Sequence, residues 1–218
     1  MIIKVIPVGP LEVNCYVLMD EETKETLILD PGGDASKITK AVEDLNGQVK
    51  LILFTHGHID HIGAAAELKS KYNVPIYINE KDDKLIAEGI VVYSSLYQDG
   101  AIDKNLFIDG NCAFGDKASN IHVEDNQIIK LGSLEMKCLE TPGHTPGGMC
   151  FIVDKYVFTG DTLFQSSIGR TDFPGGDFST LISSIKDKLM PLQDDVTVFP
   201  GHGPKSSIGF ERKNNPYL

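Results

Sequence analysis

Within Thr55-His56-Gly57-His58-Ile59-Asp60-His61, four side chains able to ligate a metal fall inside six residues, and His144, Asp161 and His202 occupy tight turns further along the chain. Packing does not explain that density, whereas imidazole nitrogen and carboxylate oxygen are donors that hold zinc, iron or manganese. A pair of ions needs roughly four to five ligands each with solvent included, and these residues plus one bridging oxygen meet that requirement. The chemistry expected of such a pair is hydrolysis. Water bridging two cations has its pKa lowered from ~15.7 towards neutrality, and the resulting hydroxide attacks a carbonyl whose developing oxyanion the same cations stabilise.

The elements that must present these donors are legible around them. Val49 to Phe54 is short, apolar and rich in β-formers, and Ile62 to Tyr72 carries helix formers throughout, so the dense cluster occupies a strand-to-helix turn. His56 and His58, two apart on extended backbone, point the same way, while Asp60 and His61 at the helix entry aim elsewhere. His144 follows a strand over Leu134 to Leu139, Asp161 follows Tyr156 to Gly160, and His202 follows Val196 to Gly201. Glycine and proline around each permit tight turns on a rim of loops. Ile38, Ala41, Val42 and Leu45 form the apolar stripe of one helix, capped by Asp34 or Ser36; Phe178, Leu181, Ile182, Ile185 and Leu189 form another behind Asp177. Residues 79–125 read as an insertion that is either a lid over the metals or a connection whose Tyr93, Tyr97, Phe107 and Phe114 complete the core. His122, within it, has no neighbouring ligand pattern and is expected to be structural or solvent-facing.

On the runs His56-Gly57-His58-Ile59-Asp60-His61, Pro142-Gly143-His144-Thr145-Pro146-Gly147, Phe158-Thr159-Gly160-Asp161-Thr162-Leu163-Phe164, Gly169-Arg170-Thr171-Asp172 and Pro200-Gly201-His202-Gly203, the chain resembles the metallo-β-lactamase-fold hydrolases. Within them it is similar to a short form of glyoxalase II, the hydroxyacylglutathione hydrolases. Asn14-Cys15-Tyr16 and Leu29-Asp30-Pro31-Gly32-Gly33 fit that family's first sheet. The resemblance implies an α/β (α+β) fold: a four-layer αββα sandwich of two mixed sheets with helices outside, the metals on one edge, and residues 1–218 as a single domain. It also implies that His56, His58 and His144 hold one divalent ion and Asp60, His61 and His202 the other, with Asp161 spanning both. Zinc is the expected metal, with iron or manganese also compatible. Asp60 is expected to be catalytic as well as a ligand, orienting the hydroxide.

A thiolate, with a parent pKa of about 8.5, departs without a proton, whereas an amine does not, and no residue of these motifs is an obvious general acid; the expected substrate is therefore a small-molecule thioester. Long-form glyoxalase II has a C-terminal helical domain that helps hold glutathione; here only sixteen residues follow His202, so that domain is not expected. Arg170 falls where the long form has a basic residue on the glutathione carboxylate, but Asp172 replaces the accompanying aromatic. Arg170 either grips a substrate carboxylate or pairs with Asp172 as a buttress. The main rival is a mononuclear non-haem iron persulfide dioxygenase, in which His56, His144 and Asp161 form a two-histidine, one-carboxylate triad. Hydrolysis of another ester or a lactone stands behind both. The antibiotic-hydrolysing branch typically has cysteine where this chain has Asp161, and the flavin-linked di-iron branch a carboxylate where it has His58, so neither is expected.

A chain of 218 residues with 41% apolar content can bury a full core. A net charge of −11 argues against a nucleic-acid partner. No apolar run reaches the roughly eighteen residues of a membrane span, and no signal-peptide core precedes Pro7 and Pro10, so no membrane partner and a cytoplasmic location are expected. Cys15, Cys112, Cys138 and Cys150 lack metal-site spacing and read as small buried thiols. Oligomeric state is left open.

Overall fold

The computed structural model describes residues 1–87 and 120–218. Its first half runs β1 (Ile2–Val8), β2 (Val13–Met19), β3 (Glu25–Leu29), α1 (Ala35–Asp44), β4 (Gln48–Leu53), α2 (Ile59–Ile62), α3 (Ala65–Tyr72), β5 (Ile76–Ile78), α4 (Glu80–Ala87) and β6 (Asn120–His122). The second half runs β7 (Ile128–Leu131), β8 (Leu134–Glu140), β9 (Met149–Val153), β10 (Tyr156–Gly160), the small hairpin β11 (Leu163–Phe164) and β12 (Ser167–Ile168), α5 (Phe178–Ser184), β13 (Thr197–Pro200), β14 (Ser206–Ser207) and α6 (Ile208–Asn214). Strands β1 to β6 form one sheet in chain order, antiparallel through β3 and parallel from there. The other sheet has the order β14-β13-β10-β9-β8-β7, with β10 and β13 parallel and the rest antiparallel.

Strand alternation builds the layers. Along β2, Val13, Cys15 and Val17 face a core shared with Ile38 and Val42 of α1 and Leu68 of α3, whereas Tyr16 and Leu18 face Cys138, Phe151 and Phe158 of the opposite sheet. Cys150, Val157 and Val198 on the far side of the second sheet pack against Leu181 of α5 and Ile208 of α6. Helix, sheet, sheet, helix is therefore the order of layers, as expected. Both faces of β2 are covered, which is why all seven of its residues are buried. Cys15, Cys138 and Cys150 are free and buried, and burial pushes the Cys138 thiol up to about 12 and Cys150 to about 11. Among the described residues no helix is long and apolar enough to cross a membrane.

Three local expectations need correction. The helix read over Ile62 to Tyr72 is broken into α2 and α3, because the Ala64 N–H donates to the Pro31 carbonyl at 2.8 Å instead of continuing one helix. Asp34 stands at the N-cap of α1 in a left-handed conformation, yet its side chain accepts from the Gly9 N–H and makes no capping bond. Phe178 is 53% exposed, since as the first residue of α5 it precedes the buried stripe that Leu181 begins; Asp177 does cap, accepting from Thr180 N at 2.7 Å. Of the insertion over 79–125, only α4, β6 and their flanks lie inside the described residues; Tyr93, Tyr97, Phe107, Phe114 and Cys112 lie outside them. His122 faces solvent and pairs with Asp83 at 2.8 Å.

Candidate metal centre

The donors converge because parallel strand ends share one edge. β8, β10 and β13 run in the same direction, so His144, Asp161 and His202 leave the second sheet side by side. The turn after β4 brings His56 to His61 from the first sheet to the same edge. The two edges are stitched there by Met149 N–H to the Thr55 carbonyl at 2.8 Å, Asn14 N–H to the Gly201 carbonyl at 2.7 Å, and the Tyr16 hydroxyl to the Pro200 carbonyl at 2.5 Å. Gly160, with φ +47°, lets Thr55 lie where a Cβ would be, 2.3 Å from its hydroxyl oxygen, which seats Asp161 next to the histidine loop.

Three sets of donor atoms approach within 4.8 Å of one another: His56, His58 and His144; His56, His61 and Asp161; and Asp60, His61 and His202. In the first set, His58 Nδ1 lies 3.0 Å from His56 Nε2 and 2.9 Å from His144 Nε2. The Asp161 carboxylate lies between the outer two sets, Oδ1 3.4 Å from His61 Nε2 and Oδ2 3.7 Å from both His144 Nε2 and His202 Nε2. Asp60 Oδ2 sits 3.2 Å from His202 Nε2 and 3.7 Å from His61 Nε2. All seven sequence-identified donors thus gather in one cluster.

Four of the five imidazoles are held from behind. The Nδ1–H of His144 donates to the Arg170 carbonyl at 2.6 Å, that of His202 to the Leu11 carbonyl at 3.1 Å, and that of His61 to Asp30 Oδ2 at 2.9 Å. The Thr55 hydroxyl donates to Asp30 at 2.7 Å and so accepts from His56 Nδ1 at 3.0 Å. These contacts fix the ring orientations and turn four Nε2 atoms inward, the arrangement that metal-ligating histidines use. Asp30, Thr55 and the two carbonyls were not assigned roles from sequence. Asp30 carried a signal, an aspartate at a strand tip before Pro-Gly-Gly; backbone carbonyls carry none.

A divalent ion fits this cluster by an observation internal to it. His61 Nε2 and Asp161 Oδ1 are fully buried and have no hydrogen-bond partner, a costly state that a cation between them relieves. Protonation states agree. Burial, reinforced by the neighbouring His61, His58 and His144, keeps His56 neutral, and burial with His144 lowers His58 to about 3. Burial opposes charge on His61, but Asp161, Asp60 and Asp30 outweigh it and raise its pKa well above the ordinary value. Burial alone would raise Asp161; His61, His144 and His202 hold it well below the carboxylate range. The set pairs two carboxylates with positive charge, a demand that bound cations also satisfy.

The profile of the Metallo-beta-lactamase superfamily matches residues 8–202. The chain belongs to this superfamily. Hydroxyacylglutathione hydrolase GloC of Haemophilus influenzae is 41% identical over 100% of this chain and 98% of its own length. Among solved structures, the BLEG-1 B3 metallo-beta-lactamase is 35% identical with a TM-score of 0.82, covering 100% of this chain and 99% of that one. ETHE1 from Myxococcus xanthus is 25% identical with a TM-score of 0.79, covering 99% and 84%. The chain is a hydrolase of this superfamily by its relatives, and its His/Asp cluster could hold metal ions.

Arg170 shows the internal one of its two geometries. Its Nε and Nη2 bind Asp172 Oδ1 and Oδ2 at 2.7 and 2.6 Å, and its guanidinium carbon lies 3.9 Å from the centre of the Phe173 ring. Phe173 in turn meets His58 edge-on at 5.6 Å. The side chain that sequence offered as a substrate grip is thus engaged with its own loop.

Proposed function

We propose that this superfamily member hydrolyses a small-molecule thioester of the hydroxyacyl-thiol class. The single observation that carries the reading is full-length similarity to a hydroxyacylglutathione hydrolase, combined with a donor set that gathers without a gap. His56, His58 and His144 would hold one divalent ion, Asp60, His61 and His202 a second, and Asp161 would touch both; the donor chemistry suits zinc and also accepts iron or manganese. When bound, the ions supply an acidified water as nucleophile and positive charge for the oxyanion.

The rest falls to this chain's own side chains. Asp60 remains anionic, because burial, which would raise its pKa, is outweighed by His61 and His202, so its free oxygen would accept a hydrogen bond from the attacking water and aim it. Asp30 and Thr55 lock His61 and His56 so that neither swings away during turnover. A cleft of ≈ 280 Å³ lined by Pro7, Leu11, Glu12, Asn14, His202 and Gly203 touches the cluster at His202 and would offer an approach for the acyl group. Among the described residues of the cluster, the titratable side chains are all donors or bound to donors. None is left as a general acid, which favours a thiolate leaving group.

The second reading, persulfide oxidation at one iron held by His56, His144 and Asp161, draws on the likeness to ETHE1. The BLEG-1 similarity adds lactam cleavage to the reactions to be assayed. Metal quantification on the native protein, followed by parallel assays of hydroxyacyl thioesters of glutathione and other thiols, a β-lactam, and oxygen uptake with a persulfide, separates them. Two ions per chain with thioester cleavage is the expected result. One iron with oxygen uptake, or lactam cleavage without thioester cleavage, overturns it.

A further inference from the structure

We propose that Asp82 is a positioning residue for the His56-His58-His144 metal position, an inference that rests on the metal-binding reading above. Asp82 lies on α4, in a run of acidic and basic residues whose sequence reads as a solvated face, yet it is fully buried. Its carboxylate spends every contact on the two loops that carry these three histidines. Oδ2 accepts from the Gly57 N–H at 2.8 Å, between His56 and His58, and from the Thr145 hydroxyl at 2.8 Å, next to His144; Oδ1 accepts from the Gly147 N–H at 2.7 Å. The loops come from different sheets, so one carboxylate on a third element sets their separation.

The glycines show that this contact is built. A Cβ on Gly147 would lie 2.6 Å from Asp82 Oδ1 and 2.7 Å from its backbone nitrogen, and one on Gly57 would lie 3.0 Å from Ile86 Cγ1 of the same helix. Side chains at either position would push α4 off the loops. The Asp60, His61 and His202 position receives none of these bonds. It leans on Asp30 and the Leu11 carbonyl instead. Loss of Asp82 is therefore expected to act on one metal position and spare the other. The neutral amide in Asp82→Asn does not substitute, because whichever way it turns its NH2 meets a backbone N–H.

The test is zinc binding by chelator competition on the parent, Asp82→Asn, Thr145→Val and Asp83→Asn, with histidine ¹⁵N NMR showing which imidazoles are ligated and thermal unfolding as a check on the fold. Asp82→Asn is expected to weaken zinc at His56, His58 and His144 on the order of 10–100-fold while His61 and His202 stay ligated, with occupancy restored by excess zinc. Thr145→Val, which removes one of the three bonds, gives a smaller loss in the same place. Asp83→Asn, whose partners His122 and Asn120 lie away from the histidines, binds as the parent does. Unchanged affinity in Asp82→Asn, or equal loss at both positions, overturns the proposal. If Asp82→Asn fails to fold, parent-like zinc binding by Thr145→Val overturns it. A parent that binds no zinc, iron or manganese removes the metal reading itself, a separate outcome.

Discussion

The two donor groups of the centre differ in enclosure and in charge. His56, His58 and His144 are buried, and the first two are kept neutral; Asp60 and His202 are partly exposed, with side chains 14% and 28% accessible, and His202 lines the cleft. In the outer group, burial lowers His202, but its hydrogen bond to Asp60 and the charge of Asp161 more than offset this and raise its pKa. The inner group therefore includes two imidazoles that burial holds neutral, and the outer one offers a carboxylate and imidazoles that a cation must take from protons. The contrast teaches that the cluster is asymmetric, and on the proposed reading the enclosed group would retain an ion while the more open one would meet substrate and solvent.

The strongest way to break the contrast is to remove what the groups share. Asp161→Ala is expected to lower occupancy at both positions and cut turnover by roughly 10³-fold or more, since it would remove a ligand from each ion and leave His61 Nε2 facing Asp60 alone. Elemental analysis beside kcat measures this, and retention of two tightly held ions would show that Asp161 does not join the groups. Asp60→Asn acts on the outer group only. Turnover of a good thioester should drop about 10²- to 10⁴-fold with the fold intact and the inner ion in place, whereas parent-rate hydrolysis would remove Asp60 from the mechanism.

Acid distinguishes the inner group in the metal-free protein. His58 has its pKa lowered from 6.5 to about 3. A group that prefers to be neutral when folded contributes stability that is complete above pH 6.5 and is lost as pH falls from there towards 3. The unfolding free energy of the parent minus that of His58→Gln should therefore shrink across that window in urea melts, and a flat difference would show that His58 is not held neutral. The smallest effect is at the rim. Because Arg170 and Asp172 are both exposed, Arg170→Ala should leave the melting temperature and KM nearly unchanged. A tenfold rise in KM at constant kcat would instead identify Arg170 as a substrate contact.

Chain-local chemistry accounts for what was legible beforehand. The dense histidine run and the glycines and prolines at strand ends depend on neighbours a few residues away, so the donors and the strands that carry them could be read from the residues, whereas the layer order came from the family resemblance. The break between α2 and α3 and the outward-facing Phe178 could not, because each is decided by a distant partner or by its absence.

The sequence by itself determined that seven donors stand on loops at strand ends and that those donors suit divalent ions. Only the tertiary structure decided which donors face each other, that Asp161 lies between the groups, that Arg170 is occupied by Asp172, and that an acidic residue in a polar helix is buried against both histidine loops. The physical reason is range. Propensity and periodicity act over a turn or two of chain, whereas coordination geometry and the burial of a charge are set by segments that meet only after both sheets have formed.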